Sequence, residues 1–116
     1  PDVIRADNLD RLQAGMVVSG ANIALTAESE QQLYERGVLC IPDFIANAGG
    51  VICAAMEYKG AGEAMAIQTI REKLCHNVQT ILELSKQHDC LPREAAVDMA
   101  MQRVRKAMQL RRWSLF

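Results

Sequence analysis

Val38-Leu39-Cys40-Ile41-Pro42-Asp43-Phe44-Ile45-Ala46-Asn47-Ala48-Gly49-Gly50-Val51 contains a change of secondary structure and a weak point within the second element. Val38 to Ile41 is a short apolar, partly β-branched run that suits a strand. Pro42 stops it, because proline has no N–H to give to a ladder. Asp43 then stands where an N-cap belongs, for a helix running to about Tyr58. Near the start of that helix lie Asn47 and two adjacent glycines, each costing roughly 1 kcal/mol against alanine in a helix interior. Glycine is useful there if something must approach the backbone closely, since no Cβ blocks it. Asn47 adds two donors and one acceptor. The group reads as the wall of a ligand site at the start of a helix.

Working outward, Met16-Val17-Val18-Ser19 is a second short apolar run and suits a buried strand, with Gly20-Ala21-Asn22 as the turn at its carboxyl end. Between the runs, Thr26 can cap a helix that carries Glu28 and Glu30 in its first turns, turns Leu33 inward and ends at Gly37. Strand, helix, strand at this spacing is a βαβ unit, with parallel strands and a right-handed crossover. Before it, Asp7 or Asn8 can cap a short helix through Leu9, Leu12 and Ala14, stopped by Gly15. After it, Lys59-Gly60-Ala61-Gly62 breaks the helix that began at Asp43. Ile67, Ile70, Leu74, Val78, Ile81 and Leu82 then recur at helical spacing from about Glu63 to Lys86. His88 to Leu91 is a loop, and Pro92 opens a last helix marked by Ala95, Ala96, Met99, Val104, Ala107 and Met108. The fold class expected is α/β, a closing βαβ part of a Rossmann-like domain followed by helices. The methionines Met99, Met101 and Met108 read as core filler.

The 116 residues point to one domain, and half of them are hydrophobic. A net charge of -1 argues against a nucleic-acid partner. The one basic cluster, Arg103, Arg105, Lys106, Arg111 and Arg112, reads as a solvated helix end complementing the helix dipole. No apolar run is long enough to span a membrane, and no signal peptide is visible. Cys40, Cys53 and Cys75 lie in apolar or helical stretches and read as reduced core cysteines of a cytosolic, hence cytoplasmic, protein. His88-Asp89-Cys90 lacks a second ligand pair, so no metal site is expected. The chain starts at Pro1 and enters structure almost at once, as an excised piece of a longer protein would.

In an open parallel sheet, ligands bind beyond the carboxyl ends of the strands. Asn22 follows the first strand and Asn47 the second, so both would face one crevice. Two neutral amides there can hold a carboxamide or ribose hydroxyls; equally, both can serve only to cap and turn the backbone. Gly60-Ala61-Gly62-Glu63-Ala64-Met65 carries the first half of a dinucleotide fingerprint, but it lacks the third glycine and follows a helix, so it reads as a helix breaker.

Ser19-Gly20-Ala21-Asn22, Leu33 to Leu39, and Ile41 to Val51 resemble the carboxyl-terminal part of the glutamate/leucine/phenylalanine/valine dehydrogenases, nearest the glutamate branch. Glu57-Tyr58 and Leu91-Pro92-Arg93-Glu94-Ala95-Ala96 fit the same pattern. The resemblance implies oxidative deamination of an L-amino acid to its 2-oxo acid and ammonia, with hydride passed to NAD or NADP. It implies that residues 1–42 close a Rossmann-like cofactor-binding domain and that 43–116 form a helical C-terminal segment. Asn22, Asn47, Gly20 and Ala21 would contact cofactor; Gly49, Gly50, Val51 and Ala54 would line the substrate. The fingerprint, catalytic lysine and catalytic aspartate would lie elsewhere in a full-length protein, leaving this piece inactive alone. A homo-oligomer is implied.

The chain departs in two places from the pattern the resemblance brings. Glutamate-specific members commonly carry a serine seven residues after the motif asparagine, where this chain has Ala54. They also tend to follow Gly-Ala-Asn with glycine and proline, where this chain has Ile23 and Ala24. Ala54 points to altered side-chain specificity, and the larger, stiffer Ile23 to a different loop near the nicotinamide. They also leave open a non-catalytic relative serving as a binding or assembly module, and a small helical interaction protein is a third reading.

Overall fold

The computed structural model describes residues 1–111. Its sheet, among those residues, is a parallel pair: β1 (Met16–Val18) and β2 (Leu39–Ile41), in the register Met16 to Leu39, Val17 to Cys40 and Val18 to Ile41. Helix α1 (Ala27–Glu35) connects them, so the expected βαβ unit is present. Thr26 caps α1 by accepting the Ser29 N–H, as its position predicted. Gly37 ends it at φ +77°, with the Val38 N–H returning to the Leu33 carbonyl.

The expected burial of β1 does not hold. Met16 and Val18 are exposed and Val17 is half-buried, because among the described residues nothing covers the far face of the pair. The expected N-terminal helix is also absent. A 3₁₀ turn, Leu9–Arg11, stands there, and Leu12 is already extended. The Asn8 side chain accepts from the Arg5 N–H and donates to the Val3 carbonyl, while Asp7 pairs with Arg5. Both candidate caps are thus committed to the chain before them rather than to a helix after them.

Beyond β2 the chain does not form one helix to Tyr58. It makes α2 (Asp43–Ala46), bends at Asn47 and Ala48, and resumes as α3 (Gly49–Tyr58). Asn47 sits at φ -99°, ψ 11°, outside the helical well, and its N–H still reaches the Asp43 carbonyl. Asparagine and paired glycines are the cheapest place to interrupt a helix. Pro42 is the cap residue of α2, and Asp43 is the first helical residue, with its side chain employed elsewhere.

Gly60 at φ +77° closes α3, and α4 runs Glu63–His88, two residues further than expected. Asp89 adopts the left-handed conformation at its end. Helix α5 is Pro92–Arg111, with Pro92 in the first turn as expected.

Two apolar clusters hold these elements. Leu9, Leu25, Leu33 and Cys40 join α1 to the sheet; Ile45, Ile81, Ala95, Ala96 and Met99 join α2, α4 and α5. Only the first half of α5 takes part. Val104, Ala107 and Met108, expected inside, are exposed, as is Met101. Ile67 is likewise exposed on α4, and Cys75 is exposed rather than buried. Arg103, Arg105 and Lys106 are exposed, while Arg112 lies outside the described residues. No helix among the described residues is long and apolar enough to cross a membrane.

Candidate functional site

Parallel pairing puts the carboxyl ends of β1 and β2 side by side, so the segments leaving them meet. Gly20-Ala21-Asn22-Ile23 leaves β1, and α2 leaves β2. The Asn47 Nδ2 donates to Asn22 Oδ1 at 2.5 Å, tying the first loop to the bend between α2 and α3. The two amides thus share one edge, as their positions predicted. Each amide keeps polar atoms that make no hydrogen bond to the described residues, Nδ2 on Asn22 and Oδ1 on Asn47.

Around this pair the surface is open and uncharged. Gly20, Ala21, Gly50, Val51 and Ala54 are exposed, Gly49 and Asn47 half-buried, and Val51 retains 77% of its accessible area. Val51, Ala54 and Tyr58 follow one another along a single stripe of α3. The glycines are not demanded by packing among the described residues. A Cβ on Gly50 would meet nothing within 4 Å, and one on Gly49 would touch Ile70 Cγ2 at an ordinary 3.6 Å.

A second set of residues lies behind the amides, and sequence reading did not find it. Ile23 has φ +52°, a left-handed backbone that is a true outlier for a β-branched side chain. Its N–H donates to Asp43 Oδ2 at 2.7 Å. Asp43 Oδ1 lies 3.0 Å from Arg93 Nη1, an ion-pair contact rather than an aligned hydrogen bond. Arg93 Nε donates to Glu30 Oε2 at 2.5 Å, and the guanidinium sits 5.9 Å from the Phe44 ring centre. Glu30 and Asp43 are only 4% and 7% exposed.

Burial pushes the Asp43 carboxyl up, but the Ile23 N–H, Arg93 and the Phe44 N–H together hold it below its ordinary value. Burial likewise lowers Arg93, and Glu30 and then Asp43 more than reverse it. The Cys40 thiol is pushed up to about 11, first by burial and then by Glu30, which makes it a poor nucleophile. Glu30 Oε1 and Ser19 Oγ are buried without a partner among the described residues.

One sequence signal for Arg93 existed. A cation just after Pro92, in the first turn of a helix, opposes the helix dipole and so calls for a carboxylate nearby. Which carboxylate it finds, 63 residues away on α1, has no local signature.

Chemically, the arrangement suits orientation of a neutral polar ligand. The free amide atoms match a carboxamide or sugar hydroxyls, and the exposed glycines leave room at the backbone. A nicotinamide and its ribose fit that donor and acceptor set. Among the described residues no three His, Cys, Asp or Glu side chains converge to hold a metal ion.

Comparison with known proteins places the chain in a family. The family model described as Glutamate/Leucine/Phenylalanine/Valine dehydrogenase matches residues 1–112. An NADP(+)-dependent glutamate dehydrogenase of Pyrobaculum calidifontis is 35% identical, over 97% of this chain and 28% of its own length. A NAD-specific glutamate dehydrogenase of Staphylococcus aureus (strain COL) is 35% identical, over 96% of this chain and 28% of its own. The crystal structure of L-tryptophan dehydrogenase from Nostoc punctiforme superposes with a TM-score of 0.79 at 27% identity, covering 90% of this chain and 31% of that one. This chain spans less than a third of each of these relatives. With a family model covering nearly its whole length and a solved relative of the same overall fold, the chain belongs to the glutamate/leucine/phenylalanine/valine dehydrogenase family.

Proposed function

We propose that this chain is the C-terminal portion of a cytoplasmic, homo-oligomeric NAD- or NADP-dependent L-amino-acid dehydrogenase, which converts an amino acid to its 2-oxo acid and ammonia. Residues 1–42 close the cofactor-binding domain and 43–116 are its helical C-terminal segment. The carrying observation is the hydrogen bond between Asn22 and Asn47, which brings the loops from both strand ends to one uncharged edge. When bound, the nicotinamide supplies the hydride acceptor. This chain's part is to orient it, with Asn22, Asn47, Gly20 and Ala21 on the cofactor and Gly49, Gly50, Val51 and Ala54 toward the substrate. The catalytic lysine and aspartate come from other parts of the full-length protein, so the piece alone is inactive. The neutral edge and a net charge of -1 favour no nucleic acid or membrane as partner.

Asn47→Ala in the full-length protein tests the assignment. The KM for NAD or NADP should rise about tenfold, as for loss of one or two ligand hydrogen bonds, with little change in melting temperature. Unchanged cofactor kinetics would remove Asn47 from the site.

Substrate choice rests on Ala54, which offers no donor to a side-chain carboxylate. Burying a carboxylate there without a partner is costly, which favours an apolar amino acid. Relatives named for glutamate and for tryptophan show that both kinds of substrate occur among similar chains. Assay of the full-length protein with glutamate, leucine, valine and phenylalanine decides the point; a clear preference for glutamate would refute the apolar reading. Ile23 and Ala54 also favour a second reading, a non-catalytic relative acting as a binding or assembly module. Absence of turnover with every amino acid, beside intact folding, would establish it.

A further inference from the structure

The Asp43–Arg93–Glu30 group touches neither amide of the candidate site, yet it holds the loop that carries one of them. Ile23 directly follows Asn22, and its left-handed backbone is unfavourable for a β-branched residue unless the surroundings enforce it. The Ile23 N–H reaches Asp43 Oδ2. A buried carboxylate keeps its charge, and so its strength as an acceptor, only beside a cation. Arg93 is that cation, and it is shared with Glu30 on α1. From α5 it therefore links α1, α2 and the Asn22 loop. Removing it leaves two buried carboxylates facing each other without compensation.

We propose that Arg93 is a positioning residue for the nicotinamide cofactor: through Asp43 it holds Ile23 in its left-handed conformation and so fixes Asn22 against Asn47. This rests on the reading that Asn22 and Asn47 contact the cofactor. A lysine cannot replace Arg93, because one ammonium cannot serve Glu30 and Asp43 with the two-pronged geometry of the guanidinium. Glycine at position 23 does remove the need for the hold, since it adopts a positive φ without penalty.

The test uses the full-length protein with Arg93→Lys, Arg93→Gln, Ile23→Gly, Asn47→Ala and the double variant Ile23→Gly/Arg93→Lys. NADH and NADPH dissociation constants are measured by fluorescence titration, beside KM, kcat and melting temperature. Arg93→Lys should weaken cofactor binding about five- to thirtyfold, the range a conformational bias of this kind supplies, with kcat within about twofold. Ile23→Gly alone should bind near the wild-type value, and the double variant should recover most of what Arg93→Lys loses. Arg93→Gln should bind more weakly still; if it does not fold, Arg93→Lys keeps a cation between the carboxylates and carries the test. An Arg93→Lys protein that is less stable but binds cofactor normally would overturn the proposal, as would a double variant no better than Arg93→Lys. Normal binding by Asn47→Ala would instead overturn the site reading on which the proposal rests. Weakened binding in Asn47→Ala beside normal binding in Arg93→Lys would overturn the positioning role alone.

Discussion

Asp43 shows how far a residue's type constrains its role. Its place after Pro42 marks a helix start, and a helix does start there, but the carboxylate serves the Ile23 N–H and Arg93. Because its native pKa is depressed, Asp43 binds a proton more weakly folded than unfolded. The stability it contributes is complete above the unfolded value of about 4 and is lost as pH falls below it, toward the depressed native value. Asp43→Asn keeps an acceptor for Ile23 and removes the charge, so it should cost about 1–3 kcal/mol at pH 7. It should also flatten the acid limb of the stability curve, and denaturant titrations between neutral pH and pH 3 in wild type and variant measure this. Parallel acid limbs would mean that Asp43 does not carry the effect. At this scale the sequence was half legible. Thr26, Gly37 and Pro92 act on backbone within a few residues of themselves, and their positions announced them. The Arg93 contacts join residues 50 and 63 apart, and no periodicity reports such a pairing.

Among the elements, α3 carries the sharpest conflict between propensity and use. Two glycines open it, and packing among the described residues demands neither, since a Cβ would meet nothing within 4 Å at Gly50 and only Ile70, at an ordinary 3.6 Å, at Gly49. An alanine at position 50 would gain helix propensity worth up to about 1 kcal/mol. Gly50→Ala should therefore raise the melting temperature, or leave it unchanged, while lowering kcat/KM at least tenfold, because the added methyl would enter the open space proposed for the substrate. Paired thermal melts and steady-state rates check this; a stabilised variant of full activity would remove Gly50 from the substrate wall. The βαβ order, parallel pairing and the starts of α4 and α5 were legible because caps and apolar periods lie along the chain. The bend between α2 and α3 was not, although its residues were singled out. Propensity marks where a helix is easily broken, whereas the contact between Asn22 and Asn47 helps to decide that it is broken there. The short helix expected before β1 failed for a related reason, since Asn8 had backbone partners on its other side.

At the level of the whole molecule, the radius of gyration is 16.5 Å, against about 13 Å for a compact domain of this length. The chain extends 53 Å along its longest axis and keeps two apolar clusters rather than one. Much apolar surface stays outside: Val51 and Tyr58 on α3, Met16 and Val18 on β1, and Val104, Met108 and Leu110 along the distal half of α5. Exposed apolar side chains in this number make these faces candidates for contact with further protein. Expressed as residues 1–116 alone, the chain should bind a hydrophobic dye and associate with rising concentration, at micromolar levels where exposed apolar surface drives aggregation. If α5 carries that contact, Val104→Gln with Met108→Gln should shift the association curve to higher concentration. The pair should change stability by no more than about 0.5 kcal/mol per site, as expected for surface positions. By contrast, Ile81→Ala in the second cluster should cost about 2–5 kcal/mol, because Ile81 is wholly enclosed. Sedimentation velocity across a dilution series, beside denaturant unfolding of the same variants, separates the two effects. A chain that remains monomeric and takes up no dye would show that these faces do not need further protein to cover them.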